Sequence, residues 1–122
     1  MPASPDLAAF ISGNFRSVWT LELLLFLKSN ADRSWRNTPL VTALRASEAV
    51  VSQALETLLA GALIVEDADG ARYAPASDDL RRRIDETEEL YARKPDAVRR
   101  MIVLAPRSGL SAFADSFRLR KD

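Results

Sequence analysis

The chain has 122 residues, 48% of them hydrophobic and 28% charged, with 17 basic and 17 acidic side chains and a formal net charge of zero. That length gives one domain with one real core and little else. Cysteine and histidine are both absent, which excludes a disulfide framework, a thiolate metal site, the commonest metal ligand and any Ser–His or Cys–His nucleophile pair. The opening MPASPDLAAF lacks the basic region of a signal peptide. The apolar run Leu23 to Leu27 falls far short of the ~20 residues that span a bilayer. The expectation is a cytoplasmic protein without membrane contact.

Ser4-Pro5-Asp6 starts a short helix with Leu7, Phe10 and Ile11 on one face, and Gly13-Asn14 breaks it. Ser17 caps a second helix from Val18 to about Lys28, apolar enough to be buried nearly all round. Ser34-Trp35-Arg36 reads as a short edge strand, with Trp35 a core cap over a hairpin rather than a platform for ligand. Thr38 is an N-cap and Pro39 suits the first position of a helix that carries Leu40, Val41 and Leu44 inward and ends near Arg45. Ser47 caps the next helix, Glu48 to Ala60, where Gly61 stands ready for a left-handed C-cap. At about 100° per residue, Val50, Val51, Ala54, Leu55 and Leu58 fall on one side of it. Ala49, Ser52, Gln53, Glu56 and Ala60 fall on the other. Leu63-Ile64-Val65 reads as a strand, Asp69-Gly70 as a turn and Arg72-Tyr73-Ala74 as the return strand.

Beyond Pro75, Ser77 caps a helix from Asp78 to Arg93, with Leu80, Ile84, Thr87 and Tyr91 on one face. Lys94-Pro95-Asp96 interrupts, and Ala97 to Leu104 resumes as a shorter helix. Ala105 to Gly109 is a linker by composition. The division is thus 1–104, a domain with flanking helices, and 105–122, a linker with an amphipathic segment.

The stretch SEAVVSQALETLLAGALIVEDADGARYAP resembles the recognition helix and wing of bacterial winged-helix regulators of the MarR, PadR and ArsR kind. It shows a Ser cap, Ser followed by Gln, a Leu pair, a Gly before the strand, and Gly-Ala-Arg at the hairpin. The resemblance covers about 40 residues and implies a mainly α fold with a small β-hairpin, a winged helix-turn-helix with extra N- and C-terminal helices. It implies transcription control through duplex DNA. Arg45, Ser47, Ser52, Gln53, Thr57 and Arg72 would be the DNA-binding residues, with Ser52 and Gln53 at the major groove.

Charge runs against that reading. Residues 1–46 hold five basic and three acidic side chains (+2), residues 47–80 one and seven (−6), and residues 81–122 eleven and seven (+4). Most affinity for DNA comes from neutralising phosphates, yet Glu48, Glu56, Glu66, Asp67 and Asp69 would face them. The three arginine groups, Arg33 with Arg36, Arg81 to Arg83, and Arg93-Lys94 with Arg99-Arg100, read better as solvated faces, the last two with acidic neighbours. DNA binding should therefore need a dimer or a partner to add basic surface. The alternative is a protein–protein interaction module, an adaptor or regulator that does not itself bind DNA.

Enzyme chemistry finds no footing. The four glycines are scattered, so no phosphate-cradling loop exists. Asp78-Asp79 and Glu88-Glu89 are adjacent on helices and do not face one another. Asp67-Ala68-Asp69-Gly70 lacks the spacing and terminal Glu of a calcium loop. No cofactor and no metal is expected. In the last segment, Leu110, Phe113, Ala114 and Phe117 share one helical face. Arg118, Arg120 and Lys121 follow at once, which suits an acidic rim more than a private core. Leu110, Phe113, Phe117, Arg118 and Arg120 are accordingly expected to bind a protein partner or a second copy of the chain.

Overall fold

The computed structural model describes residues 5–105. Six helices and one hairpin follow in the order α1 (Pro5–Asn14), α2 (Val18–Ser29), α3 (Asn37–Leu44), α4 (Glu48–Ala60), β1 (Ile64–Asp67), β2 (Gly70–Tyr73), α5 (Asp78–Arg93) and α6 (Pro95–Val103). The fold is mainly helical with a small antiparallel hairpin, as the sequence leads one to expect.

Helix α2 is the hub, because its apolar residues leave it almost no face for water. Leu21, Leu23, Leu24 and Leu27 are fully buried, and the helix packs on α3, α4, α6 and β2. Ser17 caps it by accepting a hydrogen bond from the Thr20 N–H at 3.3 Å. Trp19 is the exception among its apolar residues, 41% exposed.

Helix α3 begins before Thr38. Arg36 occupies the N-cap without a side-chain bond, and Pro39 lies inside the first turn. First-turn N–H groups have no partner within a helix, so proline is as acceptable there as at the first position. At the other end Arg45 is left-handed (φ 55°) and its N–H closes on the Val41 carbonyl.

Helix α4 separates its faces as its periodicity predicts. Val51, Ala54, Leu55 and Leu58 are buried, Val50 is half-buried, and Ala49, Ser52, Gln53, Glu56 and Ala60 are exposed. Its end differs from expectation. Gly61 keeps a right-handed backbone (φ −82°), and the left-handed residue is Ala62 (φ 62°). Ala62 N–H bonds the Leu59 carbonyl at 3.0 Å and Leu63 N–H the Leu58 carbonyl at 3.1 Å. This is a Schellman closure displaced by one residue. Glycine at 61 serves close approach instead, since a Cβ there would lie 2.7 Å from Asn14 Oδ1.

The hairpin pairs Ile64 with Tyr73 through to Asp67 with Gly70. It reaches further toward its tip than Leu63–Val65 with Arg72–Ala74, because Asp67 Oδ1 accepts the Asp69 N–H at 2.8 Å and shapes the turn. Trp35 adds a bridge on the far side of β2, exchanging two 2.8 Å hydrogen bonds with Ala71. Its ring meets Phe26 edge-on at 4.7 Å, under the Arg33 guanidinium at 3.8 Å. Trp35 does close over the hairpin. Gly70 permits this: its φ is +126°, and a Cβ would sit 2.2 Å from the Trp35 carbonyl oxygen.

Helix α5 matches its predicted span, capped by Ser77 Oγ from the Leu80 N–H at 3.1 Å, and it buries Ile84, Thr87 and Leu90. Thr87 satisfies its hydroxyl on the Arg83 carbonyl at 2.8 Å. The expected interruption is present and falls at Lys94, whose backbone is non-helical; α6 starts earlier than Ala97, with Pro95 at its N-terminus, where its fixed φ and missing N–H cost nothing. No helix among the described residues is long and apolar enough to cross a membrane.

Candidate functional site

The residues expected to read DNA lie on α3, α4 and the hairpin. Arg45 is exposed in the turn between α3 and α4. Ser47 is committed to the helix start, where its Oγ accepts the Val50 N–H at 3.1 Å. Ser52 and Gln53 open to solvent on the middle of α4. Asn37, at the start of α3, donates from Nδ2 to Ser52 Oγ at 3.4 Å. The pair spans the two helices at their exposed edge. Sequence reasoning missed Asn37, whose only signal was its place beside the cap of α3.

Thr57 is drawn away from this group. Its hydroxyl donates to the Gln53 carbonyl at 3.1 Å. It lines a polar groove of about 420 Å³ with Asn14, Arg16 and Glu56, between the end of α1 and the end of α4. Ala49, Ser52 and Gln53 are exposed together in the first half of α4.

Arg72 is on the hairpin as expected, but its charge is not free. Its Nε lies 3.7 Å from Asp67 Oδ2, and the same carboxylate oxygen accepts the Ser34 hydroxyl at 2.8 Å. The Ser34 bond, then the Asp69 N–H and the Arg72 guanidinium, hold the Asp67 carboxyl below its ordinary range. The hairpin keeps its acidic character, and its one arginine helps to hold that charge in place.

Several of the helical basic residues are paired in the same way. Arg82 pairs with Asp79, Arg83 with Glu86 at 3.1 Å and Asp6 at 3.6 Å, and Arg99 with Asp96 at 3.1 Å. Lys28 of α2 reaches Glu88 at 2.6 Å and Asp85 at 3.4 Å on α5. The Glu88 bond chiefly raises its pKa. Arg82, Arg83 and Arg99 thus have acidic neighbours as expected, whereas Arg81, Arg93, Lys94 and Arg100 are exposed.

A second groove, about 430 Å³, lies between α2, α3, α5 and α6. Trp19, Val18, Leu44 and Tyr91 give it apolar walls, and Glu22 and Arg99 give it charge. Tyr91 donates its hydroxyl to Glu22 Oε2 at 2.5 Å. Burial first, and that bond second, push the Tyr91 phenol up. Arg99 lies 5.6 Å from the Tyr91 ring centroid. Trp19 was hidden in the sequence by the apolar run around it.

Leu110, Phe113, Phe117, Arg118 and Arg120 lie outside the described residues. Among those described, no group of three or more acidic side chains is placed to hold a metal ion. Comparison of the chain with protein-family models, curated proteins and solved structures finds no match.

Proposed function

We propose that this chain is a non-enzymatic winged-helix regulatory protein acting in transcription control, presenting α4 to duplex DNA with a second copy or a partner supplying basic surface. The observation that carries the reading is the exposed, uncharged middle of α4, where Ser52 and Gln53 stand beside Asn37. An amide such as Gln53 can pair with adenine N6 and N7, and a hydroxyl with a base edge or a phosphate. The helix N-terminus with exposed Arg45 next to it suits a phosphate.

The flanks set the strength. Glu48 and Glu56 on α4 and Glu66 and Asp69 on the hairpin are exposed, and Arg72 is occupied by Asp67. Bringing these carboxylates to phosphates opposes the counterion release that drives binding. Generic duplex should therefore bind more weakly than the usual ~10⁻⁴–10⁻⁶ M non-specific range. The test is fluorescence polarisation against generic duplex at low salt, for wild type and for Glu48→Gln with Glu56→Gln. Weak binding that the double substitution strengthens supports the reading. A binder that the substitutions leave unchanged does not bring α4 to the groove, and tight sequence-specific binding by the wild-type monomer refutes the electrostatic argument.

A protein-interaction role is the second reading, favoured by the Ser34–Asp67–Arg72 arrangement that fixes negative charge on the hairpin. It predicts no duplex binding by either protein at any salt.

A further inference from the structure

The groove between α2, α3, α5 and α6 is a built surface with an unpartnered aromatic at its rim. Trp19 is 41% exposed although the rest of α2 is the hub of the core. The apolar surface continues past the groove. Val103 stands one helical turn beyond Arg99 on the same side of α6, and Val103 and Leu104 are 67% and 73% exposed. The charges of the groove are internally matched, Glu22 by the Tyr91 hydroxyl and Arg99 by Asp96. What it lacks is an apolar occupant with little net charge.

We propose that the chain's own segment Leu110 to Phe117 fills this groove, laying Leu110, Phe113 and Phe117 against Trp19, Leu44 and Tyr91. Reach is the first argument. The described chain ends at Ala105, beside Val103, and Val103 is about 6 Å along the helix from Arg99. From Ala105 to Leu110 the chain can extend up to roughly 17 Å, and Pro106 and Gly109 suit a reversal of direction. Chemistry is the second. Apolar residues at i, i+3, i+4 and i+7 are how a helix enters a groove, and Leu110, Phe113, Ala114 and Phe117 have that spacing.

Concentration decides between this chain and a second copy. A short linker holds its segment at a roughly millimolar effective concentration. A second molecule at micromolar concentration competes at a disadvantage of about a thousandfold. The sequence alone assigned these residues to another molecule; the groove within reach assigns them to their own.

The chain contains no cysteine, so Ser116→Cys accepts a single nitroxide in the full-length protein. In an isotope-labelled, spin-labelled sample, the NMR signals of the Trp19 indole and the Glu22 and Tyr91 amides should lose most of their intensity, while Gln53 and Arg72 keep theirs. Adding Phe113→Ala and Phe117→Ala should restore the lost signals, with the dispersion of the remaining spectrum reporting that the domain is folded. A mixture of isotope-labelled chain without nitroxide and nitroxide-bearing chain without isotope should show no loss. Loss in that mixture assigns the groove to a second copy and overturns the proposal. Intact groove signals in both samples overturn it as well, whatever the outcome of the duplex titration.

Discussion

The two sides of this molecule treat their polar side chains differently. Between α2, α5 and α6, several charges are paired internally: Lys28 with Glu88 and Asp85, Arg83 with Glu86 and with Asp6 of α1, Arg99 with Asp96, Glu22 with Tyr91. On the exposed face of α4, Glu48, Gln53 and Glu56 have no side-chain partner among the described residues, and only Ser52 is held, by Asn37. One side carries most of the ion pairs of the described residues. The exposed face of α4 carries none of them.

That contrast should show first in the core. Ile84 is fully buried under α5, so Ile84→Ala should cost about 2–5 kcal/mol, whereas Gln53→Ala on the open face should stay within about 0.5 kcal/mol of wild type. Parallel thermal or urea unfolding of the two variants checks it; similar losses would mean that Gln53 is a structural residue. The next effect is at the hairpin. Gly70→Ala forces a side chain into a left-handed backbone and against the Trp35 carbonyl, a cost of about 2 kcal/mol or more. Trp35 fluorescence should report its detachment from the hairpin while the far-ultraviolet helical signal persists. A cooperative loss of both would show that hairpin and helices fold as one unit.

The smallest effect is a pair of opposite pH responses. Lys28 has a pKa raised above 10.5 in the fold. Its contribution to joining α2 and α5 is complete at neutral pH and disappears as pH rises through the folded value. Asp67 has a pKa lowered below 3.8. Its contribution is present above that value and is lost as pH falls through the folded one. Lys28→Met should flatten the alkaline arm of a stability profile and leave the acid arm, and Ser34→Ala should act mainly on the acid arm. A Ser34→Ala effect confined to alkaline pH would contradict the hairpin assignment.

Much of the fold was legible because caps and periodicity agreed. Ser17, Ser47 and Ser77 each start the helix they announce, and the buried residues of α4 follow its pattern. The misplaced boundaries were shifted by one or two residues. The break read at Lys94-Pro95-Asp96 falls at Lys94, with Pro95 already in α6; Gly61 reads as a left-handed cap, a conformation that Ala62 takes instead. The candidate surface was legible as positions but not as partners. Ser52 and Gln53 were found, whereas the bond from Asn37 and the commitment of Arg72 to Asp67 require α3 and the folded hairpin. The second groove was illegible for a simpler reason. In VWTLELLLFLK every apolar residue reads alike, and nothing local marks Trp19 as the one left at the surface.

The hairpin's acidity has a meaning apart from any ligand. Trp35 occupies one side of β2 and β1 the other, so β1 is left as the outer strand of the sheet. Val65 on it is 37% exposed, and an outer strand with an apolar residue in water is a template for the edge of another chain. Glu66 and Asp67 follow it directly, and Asp69 stands in the turn. Two such strands meeting edge to edge would bring these carboxylates together at strand spacing, where like charges repel. The acidic tip guards the sheet against growing from one molecule into the next.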